Sequence, residues 1–113
     1  MVNIAILDYR KGGGDSLVHS LTQIVEYEKY NVAGATKADQ LTDKIDIALV
    51  LMEDIEPLAT QEIVDLIRTS APQSRVILIT KKPADDALQD FVHNVTLLVA
   101  GGVWRVMVGP PEL

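Results

Sequence analysis

The chain has no cysteine at all, so disulfides, thiolate nucleophiles and Cys-based metal sites are excluded from the start. Histidine is almost as scarce. His19 and His93 are the only two, and neither has a second His at ligand spacing, so no metal site is expected. Aromatics are few, with one Trp and one Phe, and basic residues fall short of acidic ones, giving a formal charge of −6 and a pI near 4.7. That balance argues against a nucleic-acid or anionic-membrane surface. No apolar run approaches the ~18 residues of a membrane span, and Met1-Val2-Asn3 has no basic region ahead of a signal-type core. A cytoplasmic protein is therefore expected. What remains is 113 residues with 48% hydrophobic content, enough for a single globular α/β domain over 1–113.

The strongest local signal is Ile45-Asp46-Ile47-Ala48-Leu49-Val50-Leu51-Met52, which runs into Glu53-Asp54-Ile55-Glu56-Pro57. Such a run without polar alternation suits a strand covered on both faces, with its acids at the carboxyl end. It is predicted as a central strand 3, with Leu49, Val50 and Leu51 buried. Val2 to Leu7 is strand 1, stopped by Asp8, and Arg10-Lys11-Gly12-Gly13-Gly14 follows as a loop. Asp15 and Ser16 cap a helix from about 16 to 29, residues 30–35 are a brief strand 2, and Thr36 to Leu41 form a short helix.

Beyond Pro57, Thr60 is predicted to cap a helix that turns Ile63, Val64, Leu66 and Ile67 toward the sheet and ends at Ser70-Ala71-Pro72. Arg75 to Thr80 is strand 4. Pro83 opens a further helix with Ala84, Leu88, Phe91 and Val92 inward and Asn94 as its stop. Val95 to Ala100 and Val103 to Val108 flank Gly101-Gly102, the signature of a two-residue hairpin. The fold expected is a three-layer α/β sandwich: a mainly parallel five-stranded sheet, strand order 2-1-3-4-5, with a C-terminal antiparallel edge strand. Asp8, Glu53, Asp54 and Thr80 would then share one rim, beside the switch point between strands 1 and 3.

Asp8 at the end of strand 1, Glu53-Asp54 with Ile55-Glu56-Pro57 after strand 3, and Arg75 to Thr80 ending in a hydroxyl together resemble the receiver domain of two-component response regulators. The resemblance spans roughly Val2 to Ala100 and implies the flavodoxin-like, CheY-like fold. It puts Asp8 on a Mg2+-binding acid and Thr80 on the hydroxyl that senses phosphate. Counting back from Pro57 by the family spacing puts Glu53 at the phosphoacceptor position, with Asp54 displaced by one. Only one acid ends strand 1, and no Lys follows strand 5; Lys81 and Lys82 sit after strand 4 instead. Phosphoryl transfer needs a metal and a cation against developing charge. The resemblance thus implies a degenerate receiver without the phosphorylation cycle, and no Mg2+ or other cofactor is expected.

Each of these residues also has a plainer reading. Strand-end acids often cap the next helix or stay solvated, and Thr80 can close the turn before Lys81-Lys82-Pro83. Lys11, Gly12, Gly13 and Gly14 could bind an anion on backbone N–H groups, but lack the Lys-Ser/Thr ending of a P-loop and equally make a plain turn. Trp104 and Met107 on the last strand are either core or contact residues.

Two further likenesses are local. Asn3 to Tyr9 resembles the opening of class I glutamine amidotransferases, whose nucleophilic Cys this chain lacks. Asp54 to Ile67 resembles the small stalk subunit of rotary ATPases. No nucleophile–base or acid–base pair can be picked out, so an enzyme is not expected. The expected function is a non-catalytic signalling or interaction module, working as a homodimer or with a protein partner through Trp104 and Met107. The alternatives are a small anion or nucleotide binder, or a stalk-type subunit of a larger assembly.

Overall fold

The computed structural model describes residues 2–10, the backbone of 31–33, and residues 41–109. The predicted helix at 16–29, residues 36–40 of the next one, His19 and the Lys11–Gly14 turn lie outside the described residues, and Leu41 is a buried residue outside any helix. The elements are β1 (Asn3–Asp8), β2 (Asn31–Ala33), β3 (Ile47–Met52), α1 (Pro57–Ser70), β4 (Arg75–Thr80), a 3-10 turn (Asp85–Ala87), α2 (Leu88–Ala100) and β5 (Arg105–Val108). The strands form one sheet in the order β2-β1-β3-β4-β5, and every pair is parallel.

The unbroken apolar runs become the three central strands because a parallel sheet offers neither face to water. On one face Ala5 and Leu7 of β1, Ala48, Val50 and Met52 of β3, and Val76 and Leu78 of β4 alternate into a single core. Both helices cover this face. α1 contributes Val64 and Ile67, α2 contributes Leu98, and Phe91 and Val95 pack beside it. Each such aliphatic side chain contributes about 1.5–3 kcal/mol on burial. On the opposite face Ile4, Ile6 and Leu51 are buried, whereas Leu49, Ile77 and Ile79 are only partly so, which corrects the expectation that Leu49 is fully buried.

The helix after β3 begins earlier than expected. Glu56, not Thr60, is the N-cap: its carboxylate accepts from the Leu58 and Ala59 amides at 3.1 and 2.8 Å, with Pro57 in the first turn. This shifts the helical frame, so Thr60, Val64 and Ile67 face inward and Leu66 faces solvent.

Thr60 is now fully buried, and its Oγ1 is without a hydrogen-bond partner. A buried, unsatisfied hydroxyl carries its desolvation penalty with no return. Thr60→Val, similar in shape and in helix propensity, is expected to stabilise the domain by about 1 kcal/mol. Thermal denaturation checks this through a midpoint raised by about 4 °C; a lowered midpoint would show that the hydroxyl is bonded after all.

The C-terminal hairpin does not form. Residues 95–100 continue α2, and β5 is a parallel edge strand whose Arg105, Val106, Met107 and Val108 lie in register with Ile77, Leu78, Ile79 and Thr80. Gly101-Gly102 closes the helix instead. Gly102 sits at a φ of 112°, its N–H donates to the Val99 carbonyl at 3.2 Å, and the Val103 N–H reaches back to the Leu98 carbonyl at 3.0 Å. That is a Schellman C-cap, completed by its usual apolar contact, because Leu98 and Val103 are both buried in the same cluster. The 3-10 turn that precedes α2 also rotates its frame. Leu88 and Val92, expected inward, are 53% and 56% exposed, and Phe91, Val95 and Leu98 take the core positions.

Candidate functional site

Parallel strands bring Asp8, Glu53, Asp54 and Thr80 to the same carboxyl end of the sheet, where the Asp8 and Asp54 carboxylates and the Thr80 hydroxyl are each bonded locally. Asp8 is held by Arg10. The guanidinium donates from Nε to Oδ1 at 2.9 Å and from Nη2 to Oδ2 at 2.8 Å, and the Arg10 backbone N–H adds a third bond to Oδ1 at 3.0 Å. This two-pronged pairing is the strong form of carboxylate recognition. It holds the Asp8 carboxyl below the usual carboxylate range, against the opposing effect of partial burial. The Arg10 side chain is almost entirely buried while doing so.

Thr80 is also buried, and its hydroxyl donates to the Glu53 backbone carbonyl at 3.2 Å, tying the end of β4 to the loop after β3. Asp54 Oδ1 accepts the Glu56 N–H at 3.3 Å, a local turn closure. Glu56 in turn caps α1. The amides of Ala59 and Leu58 hold its carboxyl below the ordinary Glu range. The Glu53 carboxylate and the Asp90 carboxylate are engaged in no ion pair among the described residues.

These residues border a cleft of about 440 Å³ between the β3–α1 loop and the β4–α2 connection. Glu53, Asp54, Glu56 and Asp90 supply carboxylates to its lining, Lys81 and Lys82 supply ammonium groups, and Ile55, Pro57, Pro83 and Phe91 supply apolar wall. Asp8 is not part of it. The cleft opens on the β3–β4 side, one strand away from the β1–β3 switch point where the sequence placed the site. Lys81, Lys82, Asp90 and Phe91 are among the lining residues that sequence reasoning did not assign to a site. The Lys81-Lys82-Pro83 punctuation after strand 4 was their only signal.

The single acid ending β1 is committed to Arg10, and no three His, Asp or Glu side chains converge among the described residues. Trp104 lies at the amino end of the sheet, away from the rim, whereas Met107 pairs with Ile79, one residue short of Thr80. They flank the start of β5 and sit within it, at the free edge of the sheet, and are 49% and 47% exposed, so Trp104 is a surface residue rather than a lid on the core. No described helix is long and apolar enough to cross a membrane.

The strand order 2-1-3-4-5 with parallel pairing defines a flavodoxin-like α/β sheet. The sequence matches no family model and no curated protein. Solved structures do share the fold. A pilus assembly-related protein of Burkholderia pseudomallei superposes with a TM-score of 0.62 at 19% identity, over 97% of this chain and 79% of its own. The pilus assembly protein CpaE2 of Sinorhizobium meliloti gives 0.65 at 13% identity, over 96% and 88%. A CpaE pilus assembly protein of Burkholderia thailandensis gives 0.59 at 19% identity, over 97% and 87%.

Proposed function

We propose that this chain is a non-catalytic, receiver-like interaction module that acts on protein partners without a phosphorylation cycle. One observation carries the reading: the parts a receiver would use to bind metal and sense phosphate are bonded within the chain, Asp8 to Arg10 and the Thr80 hydroxyl to the Glu53 carbonyl. A phosphoryl group arriving at this rim would meet Glu53 at the acceptor position and no free metal-binding pair of acids. The names of its structural neighbours make a cytoplasmic adaptor of a pilus-type assembly part of the same proposal.

Incubation with acetyl phosphate and Mg2+ tests this by intact-mass spectrometry. No mass gain is expected under conditions that label an ordinary receiver to stoichiometry. Beryllofluoride with Mg2+ should likewise leave the melting midpoint unchanged, whereas a ligand at 100 times its Kd would add about 2.7 kcal/mol of stability. A stoichiometric phosphoryl adduct, lost in Asp54→Asn, would overturn the reading.

A further inference from the structure

The two ends of the sheet carry complementary surfaces. At the amino end of β4 and β5, Trp104 stands half exposed with its backbone N–H fixed to the Val76 carbonyl at 2.9 Å. The Arg75 and Arg105 guanidinium carbons lie 5.2 and 4.9 Å from the centre of its ring, so one aromatic surface carries two cations. Neither arginine makes an ion pair with a carboxylate among the described residues. Arg68, at the end of α1, adds a third guanidinium beside Gly102. In a chain of charge −6, two of the four arginines thus lie over its single tryptophan, with Arg68 near the preceding turn.

At the carboxyl end the cleft offers the counterpart. It is walled by Pro57, Pro83 and Phe91 and edged by the carboxylates of Glu53, Asp54, Glu56 and Asp90, which outnumber the ammonium groups of Lys81 and Lys82 in the same lining. A protruding indole with attached guanidinium groups needs an apolar recess with carboxylates at its mouth, and Trp and Arg are the residue types that most often anchor interfaces. From Arg75 to Thr80 β4 takes five steps, roughly 17 Å at about 3.3 Å per residue, and Arg105, level with Ile77, stands three steps from Thr80. No chain can close that distance on itself.

We infer that the Arg75–Trp104–Arg105 surface of one copy docks into the acidic cleft of a second copy, head to tail. The inference rests on reading the chain as an interaction module, and it names a second copy of this chain as a partner. Such a contact joins two different surfaces, so it leaves a free surface and a free cleft at the ends of every dimer and propagates into a ring or an open filament. The overall negative charge opposes association, while the local pairing favours it. Both are electrostatic and weaken with salt, but the local pairing sets the direction.

Sedimentation velocity over a concentration series, at about 20 mM and about 300 mM salt, is the test. The expected result is a weight-average sedimentation coefficient that rises with concentration and falls back in high salt. Trp104→Ala removes the knob and Asp90→Lys spoils the cleft. Both residues are exposed, so folding should survive, and melting curves verify that. Each variant alone should associate at least about tenfold more weakly than the unaltered chain. Mixed, they should restore a 1:1 dimer that grows no further, because one intact knob meets one intact cleft. A monomer at every concentration would overturn the inference. So would a dimer lost in Trp104→Ala but indifferent to Asp90→Lys, which would mean symmetric pairing through the β5 edge, and so would a mixture that stays monomeric. Since phosphorylation plays no part in these measurements, a phosphoryl adduct would leave this inference standing while removing the reading above.

Discussion

Leu51→Asp is expected to abolish cooperative folding. β3 is the middle strand of the sheet, bonded to β1 on one side and β4 on the other, and Leu51 is fully buried on the face opposite α1 and α2. A carboxylate there would stand beside Asp8, its register partner, whose Arg10 guanidinium is already engaged, and the neighbouring amides are taken up by the ladders and by the Tyr9 to Leu51 bond at 2.9 Å. An unpaired buried charge costs several kcal/mol even after it protonates. Total stability of a domain this size is about 5–15 kcal/mol. Circular dichroism and urea titration would register the change as loss of the cooperative transition; a soluble variant unfolding with an undiminished midpoint would mean that β3 is not central.

The second large effect is expected at Gly102. Its φ of 112° lies in the region that L side chains rarely adopt, and a Cβ built there would run into the Arg68 guanidinium. Gly102→Ala therefore combines backbone strain of about 1–3 kcal/mol with displacement of an arginine. The loss should appear as a lower urea midpoint at unchanged slope. The hairpin expected from the sequence would instead tolerate a positive-φ residue such as Asn at 102, because Asn enters two-residue turns readily. The helix cap likewise admits Asn more readily than Ala, and the Cβ meets only the far end of the Arg68 side chain, so Gly102→Asn is expected to lose less stability than Gly102→Ala.

This position also shows where sequence reasoning stopped working. The runs at β1, β3 and β4 were legible because continuous apolarity has few explanations in a chain without membrane-length segments. Gly-Gly, by contrast, serves a hairpin and a Schellman cap equally well. Val95, Val99 and the residues between them have strand propensity, but Phe91, Val95 and Leu98 at helical spacing reach the core together, and tertiary burial overrides propensity. The α1 start was misplaced because Thr60 looked like a cap, while Glu56 ahead of Pro57 was read as part of an acidic run.

At the rim, the strand-end positions of Asp8, Glu53 and Thr80 followed from topology alone. Their partners did not. Whether Arg10 folds back on Asp8 depends on a loop path that no periodicity encodes, and the cleft between the β3 and β4 loops depends on how α1 and α2 splay.

The junction between α2 and β5 has a mechanical meaning. Consecutive amides are fastened to different layers, Val103 to the helix through Leu98 and Trp104 to the sheet through Val76, at 3.0 and 2.9 Å. Gln61 of α1 is tied to the same point by its side-chain bond to the Gly101 carbonyl at 3.0 Å. No slack is left between them. A 13-residue helix is a rod of about 20 Å, and this one has Asp90 and Phe91 at the cleft and is anchored beside Trp104 at its other end. Any tilt of the rod at the cleft must be taken up as strain in this three-way knot or passed on as movement of the indole. The two ends of the molecule are thereby joined by a stiff element rather than by a flexible loop.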